Sequence, residues 1–145
     1  MLNNKGQSLV LFIIVLPFLL LTLVLVIDIG RVVVLKQELD NINKIVLDYG
    51  LENLDNENLN NEIIELVELN NDGIRDININ LVEDRLYVEL NTCMDGLFSG
   101  LINISIFEVN SSYVGYTEND VKRIERVSRW WNEFFFRKNC YYIFS

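Results

Sequence analysis

The chain has 145 residues, a formal net charge of −9 and no histidine, which allows one small domain with an appendage. Without histidine the commonest general base and metal ligand are missing. No nucleophile–base pair, glycine-rich phosphate loop or cysteine cluster is visible, so we expect no enzyme activity, cofactor, metal or small-molecule substrate. Between residues 37 and 120 only Lys44, Arg75 and Arg85 oppose the many acidic residues, which excludes nucleic acid as a partner because phosphate binding needs clustered cations.

The first element is an uncharged run from Leu9 to Ile27, polar only at Thr22. Its length as a helix is ~28 Å, close to the hydrocarbon thickness of a bilayer. A cleavable export signal has a shorter run and then a small-residue site, and no such site follows here. The sequence therefore predicts a permanent transmembrane helix over residues 9–27, after a short leader-like segment at 1–8.

Pro17 interrupts this helix and Asp28 ends it. The proline removes one backbone hydrogen bond, which a span tolerates when neighbours or Thr22 compensate. Asp28 leaves two interpretations open. It is either a boundary residue at the level of the lipid headgroups or a charge that faces a partner.

Charges beside the span do not decide its orientation. Lys5 stands on one side, against Arg31, Lys36 and Lys44 on the other. The short N-terminus and the acidic bulk beyond the span favour a single-pass protein of the cell membrane, with a cytoplasmic N-terminus and the bulk of the chain extracytoplasmic.

A helical extension is predicted over residues 28–50, with Gly50 as its end. Apolar residues recur there with the 3.5-residue period of a coiled-coil seam. Because the seam lasts only two heptads, we expect it to pack on its own domain or on one neighbour. Its members are Leu35, Leu39, Ile42, Val46 and Tyr49.

Residues 51–118 are predicted to form a small α+β domain. A short acidic helix at 59–69 comes first, and the turn signal at 71–73 follows it. An EF-hand loop at this turn would need glutamate where Ile79 stands. The inward residues of this helix are expected to be Ile63, Leu66, Val67 and Leu69.

Alternating apolar residues predict three antiparallel strands packed on the long helix. The first two meet at a tight turn at Glu83-Asp84, and the second places Leu86, Val88 and Leu90 on one face. A helical turn at 96–102 and a third strand at 104–116 are expected next. Cys93 and Cys140 could pair outside the cell or could both be free.

Residues 119–145 form a basic, aromatic tail for which we predict a C-terminal amphipathic helix. Residues 117–120 fit a helix-start pattern, and basic residues follow on one face. Two roles stay open: the helix packs on the sheet, or it lies on a membrane surface or a partner helix. The apolar face would be Val121, Ile124, Val127, Trp131, Phe134 and Phe135, and the basic face Lys122, Arg123, Arg126 and Arg129.

Two segments together resemble the TadE/TadG-like proteins of the tight-adherence (Flp) pilus machinery. In residues 6–51 the matching features are a Gly-Gln start, Leu-Pro within an apolar helix, an Asp-x-Gly-Arg exit and an outward helix. Residues 86–116 resemble the end of those proteins, with a Leu-Phe-x-Gly-Leu turn between two strands. The matching positions of the first segment are Gly6, Gln7, Leu16, Pro17, Asp28, Gly30 and Arg31.

This resemblance implies a pilin-like α+β fold and a pseudopilin-like component of a pilus or of a related type II/IV secretion apparatus. Such a component would act in assembly or anchoring, with the lipid bilayer and other apparatus subunits as partners. The family also implies prepilin-peptidase processing between Gly6 and Gln7. Pilin-like members carry glutamate five residues beyond the cut, where this chain has Leu11. The alternative function is a single-span surface protein that binds another extracellular or membrane partner.

Overall fold

The computed structural model describes residues 4–97 and 106–127. Two helices precede four strands in this part of the chain. Their bounds are α1 Asn4–Glu52, α2 Leu59–Asn70, β1 Asp76–Val82, β2 Arg85–Asp95, β3 Ile106–Glu118 and β4 Val121–Arg126.

Helix α1 joins the predicted span and the predicted extension in one continuous helix of 49 residues. It is long and apolar enough to cross a membrane, and nearly all of its large apolar side chains between Leu9 and Ile27 are exposed. Pro17 lies inside it. Thr22 donates its hydroxyl proton to the Leu19 carbonyl at 2.8 Å, so it does not reach the carbonyl of Ile13 that Pro17 leaves without a helical donor.

The sheet is an antiparallel meander in the order β1-β2-β3-β4. Two-residue turns join β1 to β2 and β3 to β4. Their residues have positive φ angles of 50° and 60° at Glu83-Asp84 and of 51° and 62° at Asn119-Asp120. This is the type I′ geometry that matches the twist of a hairpin and that Asn and Asp tolerate.

The prediction of three strands and a C-terminal helix is wrong within the described residues, where the sheet has a fourth strand. Residues 117–120 hold the end of β3 and a hairpin turn, and the next six residues form β4. Residues 128–145, which include Cys140 and the three aromatic residues of the predicted apolar face, Trp131, Phe134 and Phe135, lie outside the described residues. So do residues 98–102 of the predicted helical turn at 96–102.

The hydrophobic core lies between α1, α2 and the sheet. The predicted apolar seam was expected to pack either on its own domain or on one neighbour. Its middle part packs on the chain's own strands. Helix α2 adds side chains spaced four residues apart, whereas Leu69 is 78% exposed and was wrongly predicted to face inward. The buried apolar residues that form this core cluster are Leu39, Ile42, Val46, Leu47, Leu59, Ile63, Val67, Leu86, Val88, Leu90, Val109 and Tyr113.

Two close contacts fix the direction of the strands along α1. At its far end, a Cβ built on Gly50 would lie 2.4 Å from Leu86 Cδ2, at the start of β2. Near the end of the apolar run, Asp28 contacts Gly96 and Leu97, just after β2. Strands β2 and β4 therefore run toward the span, and β3 runs away from it.

Candidate functional site

The site that the sequence singles out is the exit of α1 from its apolar run. Asp28 is only 3% exposed. Both of its carboxylate oxygens accept the backbone N–H of Leu97 at 3.0 Å, and Arg31 Nη1 lies 3.7 Å from Oδ1. A hydrogen bond to a carboxylate is among the stronger ones, so this residue joins the helix to the end of β2. Neither sequence interpretation included a partner within the chain.

The neighbours of Asp28 show why the contact is close. A Cβ built on Gly96 would lie 3.1 Å from Asp28 Oδ2 and 3.0 Å from Phe107 Cε2. Glycine thus lets the backbone after β2 approach the carboxylate. Gly30 has no atom within 4 Å of a built Cβ, so within residues 4–97 and 106–127 no contact requires a glycine there.

The remaining predicted positions lie elsewhere along α1. Gly6 and Gln7 are in its first turns and Pro17 is in the middle of the apolar run. Gly6 and Asp28 are separated by ~33 Å along the helix axis. The structure therefore brings together only the three exit residues, Asp28, Gly30 and Arg31.

A second polar cluster joins α1 to β3 and β4, and we call it the polar bridge. At its centre Asp40 accepts the hydroxyl proton of Ser111 at 2.7 Å and pairs with Lys36 at 2.9 Å. Arg126 of β4 donates to the other carboxylate oxygen. The members of the polar bridge are Lys36, Asp40, Asn43, Ser111 and Arg126.

Asn43 carries the buried part of the polar bridge. Its side-chain amide donates to the Val88 carbonyl at 3.1 Å and to the Ser111 carbonyl at 3.0 Å. Its Oδ1 atom is buried without a hydrogen-bond partner in the part of the chain that the structure describes. The amide thus links α1 to both central strands inside an otherwise apolar core, where an unmade hydrogen bond is costly.

The outer part of the polar bridge consists of ionic interactions of Asp40 with Lys36 and Arg126. Burial of Asp40 opposes its ionisation, but hydrogen bonds from Lys36 and Ser111, together with the charges of Lys36 and Arg126, outweigh it. The pKa of Asp40 is therefore lowered from its usual value of 3.8. The carboxylate is charged at neutral pH and holds both cations between helix and sheet.

Lys122 fastens the other end of β4 to α1. Its Nζ atom lies 2.9 Å from Asp48 Oδ1 and 2.6 Å from Glu52 Oε1. Hydrogen bonds to Asp48 and Glu52 raise the pKa of Lys122 above 10.5. Only Ile124 of β4 packs against the apolar core, so charged side chains make most of the contact between β4 and the helix.

Sequence reasoning missed the polar bridge. Asp40 and Asn43 interrupt the apolar seam of α1, at positions next to Leu39 and Ile42. Polar residues inside a buried stripe need partners, and that signal could have identified them. Ser111 and Arg126 carry no comparable signal, because their roles depend on how the strands pair.

Within residues 4–97 and 106–127 no group of three or more candidate ligands could hold a metal ion. Both polar clusters fix the sheet at a set height and rotation on the helix. A site of this kind positions a domain relative to the end of an apolar span.

Fold and site together define a class: a protein with one N-terminal apolar helix that suggests a single pass through a membrane, and a small antiparallel sheet packed on the helix where it continues. Residues 6–42 match the family model of TadE-like proteins. The match confirms the resemblance that the sequence predicted, over the apolar run, the exit residues and the start of the extension. No curated protein and no solved structure matches the chain.

Proposed function

We propose that this protein is a membrane-anchored, pseudopilin-like component of a tight-adherence (Flp) type pilus or a related secretion apparatus, where it acts in assembly or anchoring. The match of residues 6–42 to TadE-like proteins carries this proposal. The matched segment contains the apolar helix and Asp28, Gly30 and Arg31, and Asp28 ties the sheet to the helix.

The sheet is proposed to face outside the cell, with the N-terminus in the cytoplasm. Cys93 of β2 is disulfide-bonded, and disulfides persist in oxidising compartments. This favours the extracytoplasmic side for the sheet, where the flanking charges alone did not decide. Protease added to spheroplasts should then degrade the sheet domain before the membrane is lysed.

Processing by a prepilin peptidase is proposed between Gly6 and Gln7. Both residues lie in the first turns of α1, where helices fray because their first N–H groups lack partners. N-terminal sequencing of protein extracted from membranes distinguishes a chain that starts at Gln7 from one that starts at Met1.

The proposed function is tested by crosslinking in intact cells. A C-terminally tagged full-length chain, expressed from its own locus, is crosslinked, extracted in detergent and purified for mass spectrometry. We expect crosslinks to other pilus or secretion subunits and loss of surface fibres when the gene is deleted. Protein bearing Asp28→Ala should be present in membranes yet yield fewer such crosslinks.

A different result would favour the alternative function. The family match ends at residue 42, before every strand of the sheet. If deletion leaves fibres and secretion intact and the sheet crosslinks to an unrelated surface protein, the chain is a single-span surface protein with another partner, and the pilus proposal is wrong.

A further inference from the structure

The apolar surface of α1 does not end at Asp28. Ile29, Val33 and Val34 are 53%, 49% and 64% exposed. Beyond them the next exposed large apolar residue of the helix is Ile45, after exposed polar residues such as Gln37. The apolar run therefore extends past the charged exit by about two turns.

This extension is confined to one side of the helix. At about 100° per residue, Ile29 and Val33 lie on the side opposite Leu35. Val32 and Leu35 pack against the core, and Asp28 is covered by the end of β2. The outward face of α1, defined by Ile29, Val33 and Val34, thus stays apolar while the inward face already carries the sheet.

The length of the apolar run exceeds the thickness of a bilayer. From Leu9 to Val34 the helix is ~39 Å long, against a hydrocarbon core of ~30 Å. A helix that is too long commonly tilts. A tilt toward the outward face places Val33 and Val34 in lipid and lifts the inward side, with Asp28 and the sheet, above it.

We propose that α1 crosses the membrane at a tilt toward its outward face, and that Ile29, Val33 and Val34 are covered by lipid acyl chains. The outward face continues the apolar surface of the span without a break, which identifies lipid as its occupant. Arg31, half exposed beside this face, can extend its guanidinium to the headgroups. This inference rests on the proposed membrane anchoring.

Val34 and Leu97 report the tilt directly. Leu97 is level with Asp28 because its N–H contacts that carboxylate, and it lies on the sheet side with its side chain exposed. Val34 lies six residues farther along the axis, ~9 Å. In an upright helix Leu97 is deeper in the membrane by this distance, whereas a tilt toward the outward face lowers Val34 relative to Leu97 and reduces the difference in depth.

Spin-label depth measurements test this arrangement. The full chain, with Val34→Cys or Leu97→Cys, is labelled without reductant so that the disulfide at Cys93 stays intact. It is then reconstituted in phosphatidylethanolamine–phosphatidylglycerol vesicles. Collisions with oxygen report lipid, and collisions with a water-soluble nickel chelate report water. Leu21→Cys serves as the buried reference and Asn41→Cys as the aqueous one, and the parent chain gives the labelling background.

We expect the oxygen-to-nickel collision ratio at Val34 to be several-fold above that at Asn41, and the difference in depth between Val34 and Leu97 to be well below the ~9 Å of an upright helix. A label at Leu97 that is deeper than one at Val34 by the full ~9 Å would overturn the tilt. Exclusion of both reagents at Val34 would show that protein, such as a second copy of the chain, covers the outward face instead of lipid. If even Leu21 is open to the nickel chelate, the membrane anchoring itself fails, a result distinct from the other two.

Discussion

Asp28 and Leu97, separated by 69 residues in the chain, join the exit of α1 to the end of β2 through a carboxylate that is almost fully buried. The contact between Gly50 and Leu86 holds the opposite end of the sheet against the same helix. These two contacts define the position of the sheet along α1.

Replacing Asp28 should weaken the contact between α1 and the end of β2 and lower the stability of the fold. Asp28→Ala leaves the Leu97 N–H without its acceptor, which costs about 1–3 kcal/mol when the donor stays buried. Asp28→Asn retains one acceptor oxygen and should lose less. Thermal unfolding of the full chain in detergent measures the loss, and amide exchange at Leu97 shows where it occurs.

Arg31→Gln is the matched control for Asp28, because Arg31 is half exposed and its contact with the carboxylate is long. It should change stability much less than Asp28→Ala does. Equal losses for the two variants, or unchanged exchange at Leu97, would mean that the carboxylate does not hold β2.

Asn43→Ala should destabilise the helix–sheet contact. It removes the donor from two carbonyls, those of Val88 and Ser111, and leaves a cavity in the core. The expected loss in the free energy of unfolding is about 1–3 kcal/mol. Chemical denaturation in detergent measures this loss. The control is Asn41→Ala, which replaces an asparagine on the exposed side of α1 and should leave the free energy of unfolding nearly unchanged.

Two glycines of α1 should respond in opposite ways to alanine. In a helix interior, Gly→Ala normally raises the free energy of unfolding by up to about 1 kcal/mol. We expect such a gain for Gly30→Ala, because the space around Gly30 is open. At Gly50 the added methyl would meet Leu86, which is buried and has little room to move. Overpacking typically costs about 1–3 kcal/mol, so Gly50→Ala should lower the unfolding temperature. A gain at both positions would contradict the packing described here.

Asp40 should make the fold sensitive to acid. Its pKa is lowered in the folded protein, so its contribution is complete above the ordinary value of 3.8 and is lost as the pH falls through the lowered pKa. Asp40→Asn should therefore be less stable than the parent at neutral pH, and the difference should shrink below about pH 4. The free energy of unfolding, measured against pH for both proteins, checks this.

Glu57→Gln provides the control for Asp40, since it removes one carboxylate from an exposed loop. Its stability should follow the parent's across the acid range. A constant gap between parent and Asp40→Asn from pH 7 to pH 3 would show that the charge of Asp40 contributes nothing.

Local patterns in the sequence were enough for α1 and for the first hairpin. The uncharged run has the length of a span, and alternation in β2 places Leu86, Val88 and Leu90 inward, where they are buried. The turn at Glu83-Asp84 was predicted where the chain reverses. In these segments the residues that face the core are themselves apolar, so the pattern is visible without knowledge of the partners.

Strand β4 could not be predicted from an alternating pattern of apolar residues. Its inward positions are Lys122, Ile124 and Arg126, which share a face with β3 residues that point toward α1. The two cations are paired with acidic residues of α1 some 70 and 86 positions earlier. Alternation of hydrophobicity is absent, and the three-residue spacing of Val121, Ile124 and Val127 imitates a helix. The reversal between β3 and β4 depends on the positive φ angles of Asn119 and Asp120. Asn and Asp are also common at the start of a helix, so the residue types alone did not distinguish a hairpin turn from a helix start.

The order of the sheet has a consequence for how the protein is made. Each strand pairs with the one synthesised just before it, so each new pairing closes only a short loop and little chain entropy is lost at each step. Helix α1, which completes the core, leaves the ribosome first. By the time Arg126 emerges, both β3 and the Asp40 carboxylate that it binds have already been synthesised, and assembly can follow translation from the N-terminus onward.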